Sequence, residues 1–121
     1  MSEVALEKAV ERAMKQIHER DDDFTERPVG ILRGYVPVQG EGIIDGKPWY
    51  FRARGDSWSL SISENTGGSP IEVRWGNESG WYYEDNWGEW PDAGYMSYEE
   101  AWKIIEDCFV KFRAGEGYHG T

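Results

Sequence analysis

The segment GIIDGKPWYFRARGDSWSLSIS constrains the fold more than any other part of the chain. Asp45-Gly46 is the strongest short hairpin signal a sequence carries, because its two-residue turn needs positive φ. Gly55-Asp56 marks a second such turn. Pairing across it sets Ala53 opposite Trp58, Phe51 opposite Leu60 and Trp49 opposite Ile62. Every apolar residue then lands on one face, while Arg54, Arg52 and Tyr50 meet Ser57, Ser59 and Ser61 on the other. A one-residue slip would invert both faces, so the pattern specifies its own register.

Around this hairpin the periodicity changes. Leu6, Val10, Ala13, Met14 and Ile17 predict an amphipathic helix over residues 3–20, closed by Asp21, Asp22 and Asp23. Ile31–Val38 reads as a strand that Pro37 confines to an edge or an end. Ile71, Val73 and Trp75 alternate with Glu72 and Arg74, which predicts another strand, and Gly80–Tyr83 a shorter one. Ser97 with Glu100 forms a capping box for a final helix. Trp102, Ile105, Phe109 and Phe112 make its buried stripe, and Gly115 ends it. The expectation is one α+β domain over residues 1–121. Its two layers are an antiparallel β-meander and a cover of N-terminal and C-terminal helices.

At 121 residues there is room for one core, and seven tryptophans supply large buried area for it. The net charge of -10 is regional: residues 76–121 hold ten acids and three bases, whereas residues 31–75 hold five of each. Such a field disfavours nucleic acid and anionic membrane as partners. Cys108 is the only cysteine, which excludes an internal disulfide and a cysteine zinc site; its spacing makes it a core residue. The first residues lack the apolar run of a signal peptide, and no stretch approaches a membrane span, so a cytoplasmic protein is expected.

Several motifs match only on paper. Gly115, Gly117 and Gly120 spell a dinucleotide fingerprint but follow a helix instead of a strand. Arg54-Gly55-Asp56 is turn chemistry, and Asn77-Glu78-Ser79 is a sequon without a secretion signal. The two histidines, His18 and His119, sit on an exposed helix face and in a glycine-rich tail, poor places for a catalytic base. Glu84, Asp85 and Glu89 beside tryptophans suggest a glycosidase, but so small a domain leaves little room for a sugar cleft. A non-enzymatic protein is expected. Arg33, Arg52, Arg54 and Arg74, with Tyr35 and Tyr50, form an outward row that could hold a phosphate or an acidic peptide. The blander reading pairs these arginines with neighbouring acids such as Glu72.

Between Trp75 and Glu100 lie seven carboxylates and eight aromatic rings with no lysine or arginine. Carboxylates this dense repel one another, which an ion or a basic partner relieves. Glu84, Asp85, Asn86, Glu89 and Asp92 offer oxygens on a backbone bent by Gly88 and Pro91, and Glu41 and Asp45 add a second oxygen-rich, glycine-rich stretch. Calcium accepts such an irregular oxygen set, and no EF-hand pattern is present. The rival reading is a docking surface for a basic protein, anchored by Tyr82, Tyr83, Trp87 and Trp90. A third leaves the loop simply solvated.

In length, acidity, aromatic content and lack of an EF-hand the chain resembles the small, acidic, tryptophan-rich calcium-binding proteins of cyanobacteria, known as CcbP. The resemblance implies cytoplasmic calcium buffering and assigns no individual ligands. Bacterial immunity proteins, also small and acidic, cap basic nuclease toxins and are a second class the chain looks like.

Overall fold

The computed structural model describes residues 24–116 and 118–120. The helix expected over residues 3–20, with His18, and the triplet Asp21, Asp22 and Asp23 lie outside the described residues. Seven strands form one antiparallel sheet in strict chain order. They are β1 (Phe24–Arg27), β2 (Gly30–Arg33), β3 (Val38–Ile44), β4 (Lys47–Arg54), β5 (Ser57–Ser63), β6 (Gly80–Asn86) and β7 (Tyr118–Gly120). Helix α1 (Pro70–Arg74) joins β5 to β6, and a 3-10 turn (Asp92–Tyr95) and α2 (Tyr98–Arg113) follow β6. The class is α+β.

The β4–β5 register is the one the alternation demands, from Trp49 opposite Ile62 to Arg54 opposite Ser57. Asp45 and Gly46 turn between β3 and β4 with φ of 50° and 78°, the left-handed pair of a type I′ hairpin. What the sequence reads as a single strand over Ile31–Val38 is split: β2 ends at Arg33 and β3 starts at Val38, directly after Pro37.

Trp49, Phe51, Trp58, Leu60, Ile62 and Trp81 are buried on one face of the sheet, against Ala101, Trp102, Ile105, Cys108 and Phe109 of α2. Burial of the larger aliphatic and phenyl side chains among them, such as Leu60, Ile62, Ile105 and Phe51, contributes roughly 1.5–3 kcal/mol each. The rings run as a stack from Phe51 to Trp58 (6.2 Å), Tyr83 (5.8 Å) and on to Trp81 (5.9 Å). Trp49 stands edge-on to Trp102 at 6.1 Å and to Phe109 at 5.6 Å, which docks the helix on the sheet. Its indole needs room, and the glycines of β2 and β3 give it. A Cβ on Gly30 or Gly40 would lie 2.7 or 3.2 Å from the Trp49 ring. The ring nitrogen then donates to the Val29 carbonyl at 3.0 Å. The glycines of QGEGIID therefore serve packing.

Helix α2 has the expected capping box, with Ser97 and Glu100 satisfying each other's backbone N–H groups at 3.1 Å. Its C-terminus closes with Gly115 donating to Phe112 and Glu116 to Lys111, a Schellman motif.

The strand expected over Ile71–Trp75 is instead α1. Pro70 supplies the fixed φ favoured in the first turn of a helix, and Gly76 (φ 79°) and Asn77 close a second Schellman motif on Val73 and Glu72. Only Val73 is buried, and Ile71 and Trp75 are exposed. A Cβ on Gly80 would meet Val73, so α1 lies on the serine face of the sheet. Ser59, Ser61 and Ser63 are consequently buried, and that face is not the open polar surface that alternation suggests. Among the described residues no helix is long and apolar enough to cross a membrane.

Candidate functional site

Strand β6 runs on through Asn86, so Glu84, Asp85 and Asn86 belong to a strand and point alternately. Glu84, opposite Ser59, is on the serine face; Asp85, opposite Trp58, is on the other. Asp85 accepts the Asn86 N–H at 2.8 Å, and Glu84 accepts the Tyr82 hydroxyl. Beyond the strand the chain folds back over the β4–β5 turn. Trp87 N–H donates to the Asp56 carbonyl at 2.7 Å and Ala93 N–H to the Gly55 carbonyl at 2.9 Å. Gly88 (φ 68°) makes the bend, and Asp92 is drawn inside to 3% exposure. Its Oδ2 accepts the Glu89 N–H at 3.3 Å, while Oδ1 is buried with no hydrogen-bond partner among the described residues.

The other two expected calcium ligands are committed to cations of the chain. Glu41 pairs with Arg33 at 2.9 Å. Asp45 takes both nitrogens of the Arg113 fork, at 3.0 and 2.9 Å, and that guanidinium holds its carboxyl below the usual carboxylate range. The set Glu84, Asp85, Asn86, Glu89, Asp92, Glu41 and Asp45 therefore does not converge. Among the described residues no group of three or more His, Cys, Asp or Glu side chains is arranged to hold a metal ion. Strand alternation and competing ion pairs are the physical reasons.

The four candidate anchors also separate. Tyr83 lies within the ring stack beneath the Lys111 ammonium, 4.4 Å from its centroid, and Trp87 packs against the core. Tyr82 is half-buried; burial, and then its bond to Glu84, push its hydroxyl up to about 12. Trp90 alone of the four is largely exposed, at 58%. It lies over Gly55, where a Cβ would be 3.2 Å from its ring. Asp56, Asp85 and Glu89 are exposed at the same end of the sheet. The exposed Tyr35 and Val36 join them, held by the Val36 N–H to the Gly94 carbonyl at 2.7 Å.

A second site emerges on the serine face. Arg52, Arg54, Arg74, Ser57, Ser59 and Glu84, with Trp58, line a cleft of about 220 Å³. The expected pairing with acids holds for Arg33 but not through Glu72, which accepts from Asn77 at 2.9 Å. The β4 arginines and β5 serines are legible from register. Arg74 is not, because its segment imitates a strand.

No protein-family model matches the chain, and no curated protein and no solved structure matches it either.

Proposed function

We propose that this chain is a small acidic binding protein that docks a basic protein through the Trp90 end of its sheet. The observation that carries the reading is Trp90, 58% exposed in a segment whose neighbouring rings pack inward. Asp56, Asp85 and Glu89 stand exposed around it. Carboxylates there speed encounter with a cationic surface, and an indole is a favoured anchor once contact is made. A protein of the immunity class, capping a basic toxin, fits this surface. The test is surface plasmon resonance against a panel of basic proteins at low and physiological salt. We expect a salt-sensitive complex in which Glu89→Lys slows association and Trp90→Ser speeds dissociation. Binding that follows salt alone and ignores Trp90→Ser is plain charge attraction and defeats the proposal.

Calcium buffering is the second reading, favoured by the buried Oδ1 of Asp92, a carboxylate oxygen without a partner among the described residues. At a hundredfold excess over the dissociation constant, calcium binding to the native state would stabilise it by ~2.7 kcal/mol. Magnesium would give less, since it needs near-octahedral geometry. A melting temperature indifferent to millimolar calcium eliminates this reading and leaves the first intact.

A further inference from the structure

Three arginines from two elements line the cleft on the serine face. Arg52 and Arg54 alternate on β4, and Arg74 comes across from α1. Helix α1 is fixed there by Glu78, which accepts the Ser63 hydroxyl and, at 3.1 Å, the Ser69 N–H. No carboxylate among the described residues forms an ion pair with Arg52 or Arg54. Three arginines against the single carboxylate of Glu84 leave the described lining with an excess of positive charge, which an entering anion relieves. The floor adds the hydroxyls of Ser57 and the 5%-exposed Ser59.

We propose that this cleft is an oxyanion site for a small phosphate that presents a proton donor, hydrogen phosphate being the simplest case. Guanidinium forks match phosphate oxygens in pairs. The size is right for a phosphoryl group, since about 220 Å³ is below the ~300–1,000 Å³ of pockets that enclose drug-sized ligands. The field of a chain with net charge -10 opposes a long polyanion such as nucleic acid. Glu84 sets the selectivity. A carboxylate only accepts, so beside the arginines it repels an unprotonated sulfate oxygen but receives a P–OH or a neighbouring hydroxyl.

The experiment is calorimetric titration of the full chain at fixed ionic strength with phosphate, sulfate, glucose 6-phosphate and a single-stranded oligonucleotide. Phosphate should bind more tightly than sulfate, and the oligonucleotide should show no comparable affinity. Arg54→Gln and Arg74→Gln should each weaken phosphate about tenfold or more, the loss of a charge-assisted hydrogen bond. Glu84→Gln should narrow the gap between phosphate and sulfate. Tighter binding of free phosphate assigns the site to the ion, and tighter binding of the sugar phosphate assigns it to an ester; either supports the proposal. Equal binding of phosphate and sulfate overturns it. So does undiminished phosphate binding by both arginine variants once circular dichroism shows them folded, as does an oligonucleotide that outcompetes phosphate.

Discussion

Gly42 is where a single added methyl should do the most damage. It pairs with Gly30 across β2–β3 and with Trp49 across β3–β4, so it stands at the closest approach of the sheet's backbones. A Cβ there would fall inside the contact distance of the Val29 carbonyl oxygen and 2.6 Å from Gly30 Cα. Neither is the far end of a flexible side chain, so relief requires the strands to part. That displacement acts on Val29, whose carbonyl accepts from Trp49 Nε1 at 3.0 Å and from the Ile43 N–H at 2.9 Å. Overpacking costs about 1–3 kcal/mol, and each weakened hydrogen bond adds ~0.5–1.5 kcal/mol. Loss of glycine's freedom in the unfolded chain offsets about 0.4–1 kcal/mol. Gly42→Ala should therefore destabilise by roughly 1–5 kcal/mol, a large share of the total for a domain of this size. Urea unfolding followed by tryptophan fluorescence measures it. Gly67→Ala is the control, because a Cβ there meets nothing within 4 Å among the described residues. It should be neutral or slightly stabilising. A Gly42→Ala protein within 0.5 kcal/mol of the parent, about the scatter of surface substitutions, would refute the close-approach argument.

Cys108 is 1% exposed, and burial pushes its thiol up to about 12, so iodoacetamide should leave it unmodified in the native protein and label it in urea; rapid native labelling would contradict its place in the core. The pair of Asp45 and Arg113 predicts a pH signature. Because the folded carboxyl lies below its ordinary 3.8, the stabilisation is present above that value and lost as pH falls through the lower, folded one. The melting temperatures of the parent and Asp45→Asn should differ at neutral pH and merge in acid, and a gap that survives full protonation of the carboxylates would exclude the pair as its source.

The parts of the fold legible in the sequence are those where local chemistry and burial agree. Alternation from Trp49 to Ile62 settled the central register, Asp45-Gly46 its turn, and Ser97 with Glu100 the start of α2. Legibility fails where two patterns coincide. Ile71, Val73 and Trp75 alternate like a strand, but Pro70 and Gly76 bracket a single helical stretch that buries only Val73. The acidic segment misleads for a related reason. Glu84, Asp85 and Asn86 carry the composition of a loop yet extend β6, which sends neighbouring carboxylates to opposite faces. The inward turn of Asp92 depends on hydrogen bonds to backbone far away in sequence, such as Ala93 to Gly55, and no local signal announces it. The arginine cleft is half legible, since Arg52 and Arg54 follow from register but Arg74 follows from the unforeseen helix.

The sheet's sequential order has a consequence for how the chain comes off the ribosome. Each strand from β2 to β6 pairs with the one made just before it, so hydrogen bonding can advance with synthesis through pairings local in sequence. The element that covers the described apolar face, α2, is translated after all of those strands. Until it emerges, Trp49, Phe51, Trp58, Leu60 and Trp81 lack the cover that α2 gives them, the kind of transient exposure that invites association between nascent chains. Slow decoding of codons ahead of Ser97 would lengthen that interval, and the yield of soluble protein would fall with no change in the finished molecule.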